Sequence, residues 1–130
     1  MEPGKRLLRE NMIYADTNIC LRFILNDNEE MADYAENLFA TNEVHILHEV
    51  ICEIVYVLSS VYNTERKDIS ASITSFLSYV ETDDKAVIIM ALQNYEQARL
   101  DFVDCILLAY NQIDKARIET FDKKLKNKLD

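Results

Sequence analysis

The sequence predicts an α/β fold in which helices cover both faces of a short-stranded parallel sheet. Short apolar segments of strand length alternate along the chain with longer segments whose apolar residues recur at helical spacing. Strands separated by helices pair in parallel, because each helix supplies the crossover between them. The 130 residues, 49% hydrophobic and 28% charged, are enough to enclose one core without disulfides or a structural metal.

The N-terminal half contains two predicted strands, and helical segments follow each of them. MIYA (12–15) has the length and apolar character of a buried strand, and helices are predicted at 17–26 and 29–41. VHIL (44–47) is the second predicted strand. The segment 49–62 is apolar on nearly every side, which predicts a buried helix.

The C-terminal half continues this alternation. Apolar residues recur on one helical face of 67–81, and AVII (86–89) is the third predicted strand. Further helices are predicted at 91–100 and 102–114, and RIETF (117–121) is predicted as the last strand.

The first eleven residues differ in character from the rest of the chain, and Met12 could serve as a start codon. We therefore predict an N-terminal extension at 1–11, outside the fold, and a single domain at 12–130. The basic residues at the start are not followed by the apolar stretch of a signal peptide, and no apolar run approaches the roughly 20 residues of a membrane helix. A cytoplasmic location without membrane contact is expected.

The composition argues against several kinds of site. The single glycine is Gly4, so no glycine-rich phosphate loop follows it. The net charge of −9 is unlike the basic footprint of most nucleic-acid binders, although the residues after 114 are rich in lysine. Three scattered cysteines indicate buried thiols, and His45 and His48 are expected to flank a short strand rather than bind metal.

Four carboxylates occupy positions that a solvated surface does not explain. Asp16 follows the first predicted strand, and Asp122 follows the last. Glu53 and Asp104 lie inside apolar helical segments that contain no basic residue. A buried carboxylate needs a partner, because its removal from water costs several kcal/mol. Carboxylates without a nearby cation are candidates to share a metal ion, and oxygen ligands without paired His or Cys select Mg²⁺ or Mn²⁺.

Simpler roles remain open for these residues. Asp16, Asp101 and Asp122 could each cap the helix that follows, which contributes about 1 kcal/mol. Glu53 lies in the middle of a helix, where it could line a polar groove or pair with a distant arginine. Two helix-interior acids beside two strand-end aspartates nevertheless favour a divalent-metal site at the carboxyl edge of the sheet.

Four short motifs together resemble a known family. In chain order they are YADTNICLRFIL, CEIVYVL, LDFVDCILLAY and ETFDKKL, and they resemble the PIN domain, in particular the VapC-type ribonuclease toxins of toxin–antitoxin pairs. The resemblance extends from Met12 to the end of the chain and implies a three-layer α/β/α fold. The chain departs from the family's pattern in lacking loop glycines, as at 26–30, and in having Cys52 and Cys105 where small residues are typical.

The resemblance also implies roles for individual residues. The family's acidic positions, which act in catalysis and bind Mg²⁺ or Mn²⁺, fall on Asp16, Glu53, Asp104 and Asp122. The residues that would orient the ligands or a water are Thr17, Asn18, Asp101 and Thr120. The residues that would contact the RNA backbone are Lys123 and Lys124.

The implied function is metal-assisted hydrolysis of RNA phosphodiester bonds, giving a 5′-phosphate and a 3′-hydroxyl. The implied partners are RNA, a cognate antitoxin protein and a second copy of the chain, with EEMADYAENLFA and ISASITSFLSYV as candidate contact surfaces. One alternative is a PIN fold that has lost catalysis and serves as an interaction module. Another is a phosphoacceptor receiver domain, which needs adjacent acids after its first strand, whereas IYADTN has one acid.

Overall fold

The computed structural model describes residues 12–130, so the predicted extension at 1–11 lies outside the described residues. Along this part of the chain the elements are β1 (Ile13–Tyr14), α1 (Thr17–Leu25), α2 (Glu29–Thr41), β2 (Val44–His45), α3 (His48–Ser60), α4 (Arg66–Phe76), α5 (Lys85–Gln97), α6 (Phe102–Asp114) and α7 (Lys123–Lys126).

The chain divides into two compact units. Among the described residues, the first unit contains 12–54 and Ser75–Asp83, and the second contains Val55–Thr74 and Asp84–Asp130. Of the four candidate acids, two therefore belong to each unit. The prediction of a single domain over 12–130 stays a prediction.

The sheet of the first unit is short and parallel. Ile13 of β1 lies beside Val44 of β2, and Tyr14 lies beside His45. On its other side, His45 forms a parallel bridge with Glu81. The predicted α/β fold with a small parallel sheet is confirmed.

A cluster of aromatic rings holds α1 in the first unit. The Phe23 ring lies 5.0 Å from the Phe39 ring of α2, 5.8 Å from the Phe76 ring and 5.2 Å from the Tyr79 ring, measured between centroids. Such pairs contribute roughly 0.5–1.5 kcal/mol each beyond their burial. The cluster therefore fixes the position of α1, whose N-terminal end carries Asp16.

The packing of α5 against α6 forms the core of the second unit. Ile88 of α5 and Cys105 and Ala109 of α6 are completely buried. The Tyr95 ring of α5 meets the Phe102 ring of α6 nearly edge-on, with the centroids 5.9 Å apart. This contact holds the first turn of α6, which contains one of the candidate acids.

The third predicted strand is wrong. Residues 86–89 lie in α5, where the buried positions Ile88, Ala91 and Leu92 follow a helical face. A short run of β-branched residues does not distinguish a buried strand from a buried helix, and the longer apolar face favours the helix. Glu81 takes the position beside β2 instead.

The last predicted strand is also wrong. Residues 117–121 have no regular secondary structure and pair with no strand in the described part of the chain. Phe121 is fully exposed, so the alternation of apolar residues does not bury one face of the segment. Asp122 therefore does not lie at the end of a strand, whereas Asp16 follows β1 as predicted.

The predicted helices are found, with shifts at their ends. The predictions at 17–26, 29–41 and 102–114 agree with α1, α2 and α6 to within one residue. Helix α4 ends at Phe76 rather than at residue 81, because Glu81 joins the sheet. Among residues 12–130, no helix combines the length and apolar character needed to cross a membrane.

The cysteines and histidines have structural positions. Cys20 and Cys105 are completely buried, Cys52 is half-buried, and all three are free thiols. Burial is the largest cause that raises the pKa of Cys20 and of Cys105 to about 12. His45 lies in β2, and His48 begins α3 with its ring hydrogen-bonded to a backbone carbonyl.

Candidate functional site

Asp16 caps α1 with one carboxylate oxygen. Its backbone is extended (φ −86°, ψ 176°), and Oδ1 accepts a hydrogen bond from the Ile19 amide at 3.0 Å. The side chain is exposed, and no described residue donates to Oδ2. Capping and ligand binding are compatible at Asp16, because they use different oxygens.

Thr17 and Asn18 follow Asp16 in the first turn of α1. Thr17 is buried, whereas Asn18 is exposed. Asn18 is therefore the one of the two that solvent or a ligand can reach beside the Asp16 carboxylate. One turn later, the charge of Asp16 contributes to the raised pKa of Cys20, after the larger effect of burial.

Glu53 lies on the exposed side of α3. Glu49, Glu53 and Tyr56 form an exposed stripe at helical spacing, whereas Ile51 and Ile54 are completely buried. The expectation that α3 buries every side, with Glu53 inside, is therefore wrong. The reason is Tyr56, which counts as apolar in the sequence pattern but is 67% exposed here. No described residue forms an ion pair with Glu53, so its carboxylate is open to a ligand.

Two aspartates, Asp101 and Asp104, lie at the N-terminal end of α6. Asp101 occupies the N-cap position (φ −70°, ψ 163°), but its side chain accepts no capping hydrogen bond. It is instead hydrogen-bonded to the side chain of Asp104, in the first turn of the same helix. The capping role considered for Asp101 is therefore wrong, because a neighbouring carboxyl group replaces the amide as its partner.

The pKa of the Asp104 carboxyl group is raised above its ordinary value of 3.8. Burial is the largest cause, followed by the charge of Asp101, the hydrogen bond to Asp101 and the charge of Asp122. Among the described residues, no basic side chain forms an ion pair with Asp104. Two carboxyl groups of the second unit thus act on that of Asp104, which has no ion-paired cation among the described residues.

Asp122 caps the short helix α7. Its Oδ1 accepts a hydrogen bond from the Leu125 amide at 2.9 Å, so the capping role left open for Asp122 is observed. The amide of Asp122 donates to Oγ1 of Thr120 at 3.0 Å, and this bond orients the residue. The residues predicted to contact RNA, Lys123 and Lys124, are exposed in the first turn of α7.

The segment around Asp122 is attached to α6 by Asn111, a buried residue that the sequence analysis missed. Nδ2 of Asn111 donates to the Ala116 carbonyl oxygen at 3.0 Å, and its Oδ1 accepts from the Asp130 amide at 3.1 Å. Both ends of residues 116–130 are therefore held against α6, which also carries Asp104. This attachment explains how Asp122 comes to act on Asp104 although no strand precedes it.

Arg66 is a second residue that the sequence analysis missed. Its Nη1 donates to the carbonyl oxygens of Tyr95 at 3.0 Å and Leu100 at 2.7 Å, and its guanidinium lies 4.0 Å from the centroid of the Tyr95 ring. Leu100 directly precedes Asp101, so Arg66 fixes the chain where α6 begins. These partners lie 29 and 34 residues away along the sequence, so no local motif could reveal the contact.

The structure brings some of the predicted site residues together. Asp101 and Asp122 both act on Asp104 in the second unit. Asp16 and Glu53 belong to the first unit, where no hydrogen bond or ion pair joins them. Across residues 12–130, no group of three or more His, Cys, Asp or Glu side chains is arranged to hold a metal ion. The convergence of all four acids on one ion stays a prediction.

Comparison with known proteins identifies the family. A sequence model of the PIN domain matches residues 13–128, which include all the candidate acids. Searches among curated proteins and among solved structures found no significant match to the chain. With a match over nearly its whole length, the chain belongs to the PIN-domain family, whose members are generally nucleases.

Proposed function

We propose that the protein is a ribonuclease that hydrolyses RNA phosphodiester bonds with the help of Mg²⁺ or Mn²⁺. The observation that carries this proposal is the grouping of Asp101, Asp104 and Asp122, in which burial, then Asp101 and Asp122, raise the pKa of Asp104. Carboxyl groups that repel one another and lack an ion-paired cation are suited to share a divalent ion.

The donor set fits a hard divalent cation. Asp16, Glu53, Asp104 and Asp122 offer carboxylate oxygens, the ligands that Mg²⁺ and Mn²⁺ prefer. Asp16 and Asp122 each use one oxygen for a helix cap and keep the other available. When bound, such an ion lowers the pKa of a water molecule and offsets charge on the phosphate.

The chain's own contribution is to position these carboxylates. The hydrogen bond between Asp104 and Asp101 orients Asp104, and the hydroxyl of Thr120 orients the backbone of Asp122 by accepting from its amide. Arg66 fixes the chain before Asp101 through the Leu100 carbonyl oxygen. Ligands held in advance by hydrogen bonds of this kind bind metal more tightly than mobile ones.

Cleavage of RNA by the purified protein tests this proposal. We expect cleavage with Mg²⁺ or Mn²⁺ and none after addition of EDTA. Asp104→Asn and Asp16→Asn should each lower the rate at least about 100-fold, because each removes a charged ligand of the ion. Asp16→Asn keeps the fold intact, since asparagine caps a helix as well as aspartate does.

Asp114→Asn is the matched control, because Asp114 is an exposed aspartate of the same helix as Asp104 and lies outside the candidate site. It should cleave at the wild-type rate. Cleavage that continues in EDTA, or that persists in both Asp16→Asn and Asp104→Asn, would contradict the proposal.

We also propose that this ribonuclease is the toxin of a VapC-type toxin–antitoxin pair, which acts in the cytoplasm and forms homodimers. Of the two candidate contact surfaces, 29–40 gains support, since Met31 and Tyr34 lie one helical turn apart and are 49% and 64% exposed. The second surface loses support, because Ile69, Ile73 and Phe76 are buried.

Growth after expression in a bacterium tests the toxin role. The wild-type chain should arrest growth, and Asp104→Asn should relieve the arrest at equal protein levels. Arrest by the Asp104→Asn variant would separate toxicity from nuclease activity. An interaction module without catalysis, the remaining alternative, predicts that the purified protein cleaves no RNA with either metal ion.

A further inference from the structure

A groove of about 560 Å³ lies in the second unit, which also contains Asp101, Asp104 and Asp122. Its lining includes four basic side chains, on Arg66, Lys67, Arg99 and Lys124, and two acidic ones, on Glu65 and Glu96. A surplus of cations is notable in a chain whose net charge is −9. We call this feature the basic groove.

The four cationic side chains of the basic groove differ in whether they already have a partner among the described residues. Arg66 is fixed by two carbonyl oxygens and by the Tyr95 ring. Lys67 has Glu65 as a distant partner, with Nζ 3.9 Å from Oε2. Arg99 and Lys124 form no hydrogen bond or ion pair with any described residue. These two charges are therefore available to an external anion.

Both available cations are next to the carboxyl groups along the chain. Arg99 lies two residues before Asp101, and Lys124 lies two residues after Asp122. Two steps along the backbone span at most about 7 Å between Cα atoms. The backbone that carries Arg99 and Lys124 is therefore close to the backbone that carries Asp101 and Asp122.

The lining also indicates which part of a nucleic acid it can contact. The Tyr95 ring is only 4% exposed and is covered by the Arg66 guanidinium, so no base can stack on it. Lys and Arg side chains commonly contact the phosphates of a nucleic acid. Without base stacking, their contacts in this groove would hold the strand through its backbone.

We infer that the basic groove binds the phosphate backbone of single-stranded RNA on one side of the bond that is cleaved, an inference that rests on the proposed ribonuclease function. Arg99 and Lys124 contact the phosphates, and Arg66 keeps Arg99 in place through the Leu100 carbonyl oxygen. An acidic peptide would find the same cations, but it has no phosphodiester to present to the neighbouring carboxyl groups.

Binding of a fluorescein-labelled single-stranded RNA in EDTA, followed by anisotropy at several salt concentrations, tests this inference without cleavage. Arg99→Gln combined with Lys124→Gln should weaken binding about tenfold at roughly 0.1 M salt. The slope of log affinity against log salt should become shallower by about 1.4, which is about 0.7 for each lost phosphate contact.

The chain offers a matched control for both substitutions. Lys115 is exposed and has the same left-handed backbone as Arg99, with φ of 57° and 51°. Lys126 is an exposed lysine of the same helix as Lys124. Lys115→Gln combined with Lys126→Gln removes the same net charge outside the groove, and its affinity should stay within about twofold of the wild-type value.

Cleavage assays with Mn²⁺ separate this inference from the proposed function. The groove variant should show a raised KM with kcat nearly unchanged. If the wild-type protein cleaves no RNA, the proposed ribonuclease function is wrong. The binding data in EDTA still show whether the basic groove binds RNA. Equal affinity of the two double variants would overturn the groove assignment. So would a poly-glutamate peptide that binds the groove as tightly as RNA does, since it would assign the groove to an acidic protein partner.

Discussion

Helices α1 and α6 each have an aspartate as the N-cap residue, in nearly the same backbone conformation, but the two aspartates have different partners. Asp16 has φ −86° and ψ 176°, and its side chain accepts a hydrogen bond from the Ile19 amide. Asp101 has φ −70° and ψ 163°, and its side chain is hydrogen-bonded to Asp104 instead of a backbone amide. The cap residue and its backbone therefore do not decide where the carboxylate points.

The residue at the third helical position accounts for the difference. That position holds Ile19 in α1, whose side chain cannot hydrogen-bond, and Asp104 in α6, whose carboxyl group can. Helix α7 is a third case, in which Asp122 caps and the third position holds Leu125. In α6 the acid at the third position is therefore paired with the N-cap aspartate, whose side chain makes no capping hydrogen bond.

The largest difference between the two helix starts should appear in stability. Asp16→Ala should lower the free energy of unfolding by about 1 kcal/mol, because it removes a capping hydrogen bond. Asp101→Ala should lower it by less than about 0.3 kcal/mol, because no capping bond is lost. Urea unfolding in EDTA measures both values. Asp16→Asn, which keeps the cap, serves as the control, and equal losses for the two alanine variants would refute the comparison.

A smaller effect is expected when the acid at the third position of α6 is replaced by an apolar residue, as α1 has there. In an Asp104→Leu background, the Asp101 side chain can turn to the amide of residue 104 and cap the helix. Asp101→Ala should then cost about 0.5–1 kcal/mol, whereas it costs little in the wild-type background. A double-mutant cycle measures this coupling by urea unfolding. A coupling energy near zero would mean that something other than Asp104 prevents Asp101 from capping.

The sequence predicted contacts between residues that are close along the chain and missed contacts between residues that are far apart along it. The caps by Asp16 and Asp122 join residues three apart, and both were predictable from their positions before helices. Asp101 had the same local signal, but its neighbour Asp104 competes with the backbone. The contact of Arg66 with Leu100 crosses 34 residues, and no local pattern contains it.

The loops likewise contain some backbone conformations that the residue type indicates and others that it does not. The sequence has no glycine after Gly4, so tight turns must use other residues. Asn26, at the end of α1, has φ 51°, a conformation that asparagine tolerates better than most residues. Arg99 and Lys115 also have positive φ, although their residue types give no such signal. Lys115 is the left-handed C-cap of α6, so even a local helix ending was not visible in the residue type.

The smallest expected effect is a pH dependence of the unfolding free energy that arises at the start of α6 and not at the start of α1. Because the pKa of Asp104 is raised above 3.8 in the fold, the folded protein holds this proton more tightly than the unfolded chain does. The contribution of Asp104 to stability is therefore fully present below pH 3.8 and is lost as the pH rises through the raised value. Relative to Asp104→Asn, the wild-type protein should lose unfolding free energy over this interval.

Urea unfolding in EDTA at a series of pH values measures this loss as the difference between wild type and Asp104→Asn. The same difference taken in an Asp101→Asn background should be smaller but not zero, because the charge and hydrogen bond of Asp101 are gone while burial and Asp122 remain. Asp114→Asn, in the same helix, should show no such dependence. An undiminished loss in the Asp101→Asn background would show that burial and Asp122, without Asp101, raise the pKa of Asp104, and the pairing of the two carboxyl groups at the start of α6 would then have no electrostatic consequence.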